Sequence, residues 1–271
     1  MIERLYKLAP KETINDNDVI VGERKVVFDL QKYNAFIGGV FKMMLEIIAT
    51  SLADAIAAER SGADRLELCA ALSEGGLTPS LGLVEAVVAG VNIPVHVIVR
   101  PHSRTFHYDD NDLAVMIADI RHIKRTGAAG VVIGVLTEEC KVNTDALARL
   151  LEETGEMKVT FHRAFDEIED QLEALKIIAS FPQIQRILTS GGQAPAPEAA
   201  EQLKKLVDKS KNTSVRILAG NGMNLETLSS LVSATGLEEV HFGSAVRINR
   251  SFMYPIDPAV ITAIKSELEN S

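Results

Sequence analysis

The stretch Asp64–Ser80, DRLELCAALSEGGLTPS, decides how the chain reads. Leu66 and Leu68 alternate with Glu67 and Cys69, the two-residue period of a strand with unlike faces. The run then breaks on the paired glycines Gly75 and Gly76, as a strand passing into a loop would. If the leucines meet an apolar layer, Glu67 and Cys69 point together the other way. That other side must accept both a carboxylate and a thiol.

The same unit recurs along the chain from Met44 onward. Strand-like runs are predicted at Met44–Thr50, Arg65–Ala70, Val95–Arg100 and Gly130–Val135. Four more follow at Lys158–Arg163, Gln185–Ser190, Val215–Gly220 and Glu239–Ser244. Helical stretches lie between them. Ser51 is placed to cap the first helix, and Gly62, Gly90, Gly127, Gly155 and Gly236 to close helices in the left-handed conformation. Pro258 suits the first turn of the last helix, where a missing N–H costs little. Eight β–α units with right-handed crossovers predict an α/β fold, a single closed (β/α)8 barrel over residues 44–271. An open doubly wound sheet is the alternative, and near-equal units favour closure.

Residues 1–43 lie outside the repeat and form a short N-terminal extension. Within it Val26–Leu30 reads as a short strand, and Asn34–Phe41 is apolar. The simpler reading is a variable extension, or an upstream start with the working protein beginning near Met43. The other is a segment that plugs the barrel floor or packs on a neighbour.

Strand parity assigns each side chain of the barrel to a layer. The helix-facing set is Leu45, Ile47, Leu66, Leu68, Val95, Val97, Val99, Val159, Phe161, Ile217, Ala219, Val240 and Phe242. The lumen set contains Glu46, Ile48, Glu67, Cys69, His96, Ile98, Arg100, Thr160 and His162. It continues with Arg186, Leu188, Ser190, Arg216, Leu218, His241 and Gly243. Glu46 and Glu67 are read at matched heights on neighbouring strands. Carboxylates that close share a proton, hold a cation or are neutralised by arginine. Arg65, His96, Arg186 and Arg216 begin their strands and read as floor residues with a structural role. Glu46, Glu67, Arg100 and His162 lie nearer the carboxyl ends, where barrels of this kind keep their active sites.

The loops at those ends carry further candidates. TSGGQ (Thr189–Gln193), AGNGM (Ala219–Met223) and GSAVR (Gly243–Arg247) follow strands six, seven and eight. Ser190, Gly191, Gly192, Asn221, Gly222 and Ser244 are the candidate anion-binding residues, because such loops expose backbone N–H groups. FHRAFD (Phe161–Asp166) brings His162, Arg163 and Asp166 to the end of strand five, as acid, base or metal ligand, or as a salt-bridged anchor. RPHSRTFHY (Arg100–Tyr108) is long enough for a lid and equally suited to a solvated polar loop.

Composition excludes other classes. The 271 residues carry a net charge of −9, which makes nucleic acid and anionic membranes poor partners. Two cysteines argue against a disulfide framework and for a reducing cytoplasm. No apolar run suits a bilayer or a signal peptide. No lysine stands in the carboxyl half of a barrel strand, which disfavours Schiff-base chemistry. No His-x-His follows strand one, and no Gly-x-Ser-x-Gly, Walker loop or Cys-x-x-Cys occurs.

The motifs LELCAALSEGGLTPS, VRPHSRTFHY, VTFHRAFD, RILTSGG and EVHFGSAVR, in this order from about Met44 to about Arg247, closely resemble the CutC family, named for copper homeostasis. The resemblance implies a cytoplasmic TIM barrel, often a homodimer, with Cu(I) binding proposed through cysteines. A thiolate suits soft Cu(I). Cys69 matches the family cysteine, whereas the second cysteine of some members falls at Ile48 here. The family's RPRGGDF lid reads RPHSRTF in this chain, with Arg100, Phe106 and Tyr108 matching. Two functions are therefore expected. One is a copper protein with Cys69 as metal ligand. The other is a cofactor-independent enzyme for a phosphorylated or carboxylated small molecule. In that reading Glu67 or Glu46 is the base, His162 the acid and Arg100 the anion clamp.

Overall fold

The alternation of apolar and polar residues closes into a cylinder in the computed structural model, which describes residues 18–21, 24–27, 43–192 and 194–270. The chain divides into two units, Met1–Phe41 and Lys42–Ser271. In the first, Asp18–Val21 pairs antiparallel with Arg24–Val27. Most of the strand read at Val26–Leu30, and all of Asn34–Phe41, lie outside the described residues.

The second unit is the barrel. Its first half runs β1 (Met44–Ala49), α1 (Leu52–Arg60), β2 (Arg65–Leu68), α2 (Leu81–Gly90), β3 (Val95–Ile98), α3 (Asp110–Arg125), β4 (Gly130–Ile133) and α4 (Thr144–Thr154). Its second half runs β5 (Lys158–Phe161), α5 (Gln171–Ala179), β6 (Ile184–Thr189), α6 (Ala200–Ser210), β7 (Arg216–Ala219), α7 (Leu225–Thr235), β8 (Glu239–Phe242) and α8 (Pro258–Asn270). The strands pair in sequence order, all parallel, and β8 returns to β1 to close the ring. The open-sheet alternative is thereby excluded. No helix among the described residues is long and apolar enough to cross a membrane.

Parity separates two apolar layers. Leu45, Ile47, Leu66, Leu68, Val97, Val159, Phe161, Val240 and Phe242 are wholly buried in one cluster between strands and helices. Ile48, Cys69, Ile98 and Val132 form a second, small cluster inside the barrel. Helix starts follow local chemistry: Ser51 Oγ accepts from the Asp54 N–H at 3.1 Å, and Asp109 and Asp112 form a reciprocal capping box on α3. Gly62, Gly127, Gly155 and Gly236 adopt positive φ as expected. Gly90 does not. It lies within α2, before an extended Val91, and a Cβ there would meet Leu52 Cδ1 at 2.5 Å. Close packing of α2 on Leu52, and not a left-handed turn, accounts for that glycine.

The register also corrects the matched heights of the two glutamates. Glu46 pairs with Arg65, and Glu67 pairs with Ile48. The stagger needed to close a barrel sets Glu46 one layer beneath Glu67.

Gly130, on the lumen side of β4, has no room for a side chain. A Cβ would stand 2.5 Å from the Lys158 carbonyl oxygen and 2.7 Å from the His96 ring. Gly130→Ala is expected to lower the unfolding free energy by ~1–3 kcal/mol, the usual cost of overpacking. Urea denaturation measures this, and an unchanged midpoint would contradict the packing described.

Candidate active site in the barrel mouth

The lower lumen is a buried ion network. Glu46 accepts from Arg65 Nε and from His241 Nδ1, the latter at 2.7 Å. Arg65 Nη2 and Arg186 Nε both donate to Glu239 Oε2 at 2.7 Å. Burial alone would raise the Glu46 carboxyl, but Arg65 and His241 outweigh it and hold Glu46 well below the usual carboxylate range. At 1% exposure Glu46 lies under the mouth, does not line it, and holds His241 from below. Glu239 escaped the sequence reading, although it shares the parity of His241. Arg216, also read as lumenal, begins β7 at the end away from the mouth, half-buried against Glu238 at 3.2 Å.

Above this layer a cavity of about 780 Å³ opens at the carboxyl ends of the strands. Glu67, Cys69, Arg100, His162, Asp166, Gly192, Asn221, Gly222, His241 and Ser244 are among its walls. The opening question of the sequence is answered here. Glu67 and Cys69 face the cavity side by side, and the thiol donates to Glu67 Oε2 at 3.3 Å. His241 Nε2 stands 3.7 Å from the same oxygen. Burial, opposed by the His241 charge, raises the Glu67 carboxyl above its ordinary value. Burial would lower His241, but its bond to Glu46 and the charges of Glu67 and Glu46 raise it. Glu67 is thus a carboxyl raised by burial, beside an imidazole that Glu46 holds from below.

Arg100 and His162 form the wall at β3 and β5. Arg100 Nη1 donates to the carbonyls of Glu74 at 2.9 Å and Gly76 at 3.1 Å. Its guanidinium carbon lies 4.7 Å from the centre of the Phe106 ring, which in turn packs 4.9 Å from the His162 ring. His162 Nδ1 accepts from the Ala164 N–H at 3.1 Å. Burial first, then Arg100, pushes the His162 imidazole down to about 3. A ring neutral at pH 7 offers an N–H but does not act as an imidazolium acid.

The remaining candidates divide. Asp166 reaches the cavity wall, yet its carboxylate accepts from Arg163 Nε at 2.8 Å, Thr189 Oγ1 at 2.5 Å and the Ser190 N–H at 3.1 Å. It ties β5 to β6. Ser190 is wholly buried by these bonds, and Ser190 and Gly191 are not cavity walls. Gly192, Asn221, Gly222 and Ser244 are. Gln193 lies outside the described residues. In the Arg100–Tyr108 loop, His102 pairs with Asp112 at 3.1 Å and His107 approaches Glu138 at 3.9 Å. Cys140 is exposed and borders a separate pocket of about 220 Å³ with His107 and Glu138. It is not a wall of the cavity that holds Cys69.

Comparison with known proteins places this barrel. The CutC family profile matches residues 43–246. A CutC family protein of Salmonella enteritidis PT4 is 39% identical over 211 residues, spanning 78% of this chain and 84% of that protein. A solved CutC from Streptococcus agalactiae, whose name associates it with copper homeostasis, is 30% identical with a TM-score of 0.70, covering 74% of this chain and 98% of that one. Phosphoribosylanthranilate isomerase from Pyrococcus furiosus, at 15% identity and a TM-score of 0.57 over 84% of this chain and 100% of that one, shares the fold alone.

Two outcomes are expected from the buried charges. Glu46→Ala strands Arg65 and His241 without their shared counter-charge and should cost ~3–5 kcal/mol of unfolding free energy in urea. Acid sensitivity follows from His96 and His162, both held down to about 3, with burial the first cause. The unfolded chain binds those protons near ~6.5 and the folded chain does not, so stability is lost as pH falls from there toward 3. His241, raised, acts in the opposite sense with one group against two. The urea midpoint should therefore decline below pH ~6.5, less steeply in His162→Asn, and a flat profile would count against neutral buried histidines.

Proposed function

This chain belongs to the CutC family, and from that premise we propose that it acts as a cofactor-independent enzyme on a phosphorylated or carboxylated small molecule bound in the barrel mouth. The observation that carries this reading is the wall at Arg100: a residue 7% exposed that lines the cavity, with no carboxylate partner among the described residues. A buried cation without a counter-ion is costly, and an anionic ligand removes that cost. Glu67 takes the role of proton-transfer group, positioned by Cys69 and His241. The loops after β6, β7 and β8, with Gly192, Asn221, Gly222 and Ser244 at the cavity, receive the anionic group, as is common in barrels of this kind.

Copper homeostasis is the process that the family's name carries, and Cu(I) at Cys69 is the second reading. Its support is the thiol facing the cavity. The donor set fits poorly. Cys69 is 1% exposed, and burial, with the charge of Glu67, pushes its thiol well up from the ordinary range. Metal binding needs the thiolate. Ile48 stands where a second thiol would, and among the described residues no three histidine, cysteine or acidic side chains gather as a metal cage.

Two titrations test these readings. Isothermal calorimetry with inorganic phosphate should show a saturable site that Ser244→Asp abolishes by adding a carboxylate to the mouth. Absent binding, or binding indifferent to that substitution, would overturn the anion reading. In competition against a Cu(I) chelator, wild type and Cys69→Ser should behave alike, and a loss of affinity on substitution would restore the copper site.

A further inference from the structure

An apolar shelf lines one side of the mouth. Ile48, Cys69 and Ile98 belong to the small cluster inside the barrel, and Leu72 and Phe252 pack onto it. All five are walls of the cavity. Leu72 stands in the short turn after β2 and Phe252 in the loop after β8, and both are half-buried. Two loops thus extend a lumenal apolar layer into the cavity. Large apolar side chains set around a cavity in this way are the usual lining of a small-molecule site.

Polar chemistry behind the shelf holds Phe252 in place. Arg247 donates to Asp54 Oδ2 at 2.7 Å and to the Tyr254 carbonyl at 3.0 Å, which closes the β8 loop around its guanidinium. The guanidinium carbon lies 5.0 Å from the centre of the Phe252 ring. Just after β8, Gly243 makes room: a Cβ there would come within 3.0 Å of both Phe252 Cζ and Ile48 Cδ1. The ring tip and the isoleucine tip therefore approach over a residue with no side chain. A ring fixed before a ligand arrives loses little freedom on binding it.

Position and size add the rest. The shelf rises from β1, β2 and β3 and from the loop after β8, whereas the loops proposed for the anionic group follow β6, β7 and β8, with β6 directly across the ring from β2. A cavity of about 780 Å³ is far larger than a lone phosphate needs and suits an organic molecule. Glu67 stands at the foot of the shelf, bonded to Cys69 of the same cluster. We propose that the ligand is a phosphate monoester with an apolar body, of which an aryl group is the type, and that Phe252 and Leu72 select that body over a polyhydroxylated one. Burial of apolar surface drives the selection, and hydroxyl groups laid on the shelf lose water without gaining a partner. This inference rests on the anion reading above and names the class of molecule that carries the anion.

The probes are phenyl phosphate, glycerol 3-phosphate and phenol, compared by calorimetry on the full chain. The two esters carry the same charge and differ in the body. Wild type should bind phenyl phosphate roughly tenfold more tightly than glycerol 3-phosphate, the gain from burying about 55 Å² of apolar surface. The ratio should fall toward one in Phe252→Ala and recover in part in Phe252→Leu. Leu72→Ser, on the other loop, should lower the ratio independently, which separates loss of the shelf from a disturbed β8 loop. Equal affinities in wild type, a preference for glycerol 3-phosphate, or a full ratio in either Phe252→Ala or Leu72→Ser would overturn the shelf. Esters bound equally, with that binding lost in Ser244→Asp, would sink the shelf and leave the anion reading standing. Phenol binding that depends on Phe252, with neither ester bound, would uphold the shelf and sink the anion reading. Binding of none of the three probes would overturn both.

Discussion

The shared carboxylate of Glu46 is the interaction on which the inside of this barrel depends. It joins Arg65 on β2 to His241 on β8, across the seam where the first strand meets the last. Glu239 extends the chain of charge to Arg186 on β6. All but the partly exposed Arg186 are taken out of water, so each buried member is stable only while its partners are in place. A purely apolar floor would close the barrel as well. What the ionic floor adds is an imidazole fixed by Glu46 at the cavity wall, beside Glu67.

That imidazole sets the character of the site. His241 stands between the carboxylates of Glu46 and Glu67, and the thiol of Cys69 holds the same Glu67 oxygen from the other side. The thiol thereby has a role that needs no metal. It is a donor to a carboxyl group, in a wall otherwise made of Ile48, Ile98 and Val132. The opposite arrangement governs the β3–β5 wall, where Arg100 and His162 have more donors than the fold uses. On one side of the mouth the polar groups satisfy one another, and on the other two buried nitrogens stay unpaired.

Much of the site was legible in the alternation of residues. Leucine and isoleucine at odd positions of β1 and leucine at even positions of β2 leave Glu46, Glu67 and Cys69 no face but the inner one. The same logic placed His96, His162 and His241 inside. It missed Glu239, whose parity was the same but whose position at the first residue of β8 drew no notice. Asp166 and Ser190 read as two separate candidates, yet they bond to each other and hold β5 to β6.

Sequence alone therefore determined the fold class, the two faces of every strand and the inventory of groups in the lumen. These are local properties, because a two-residue period needs no knowledge of what a strand pairs with. Tertiary structure decided height and partnership. Closing eight strands requires a stagger, and that stagger lowered Glu46 against Arg65 and left Glu67 level with Ile48 at the cavity. Which donors found carbonyls and which stayed spare, as Arg100 Nε and His162 Nε2 did, depends on loops that meet only after the ring has closed.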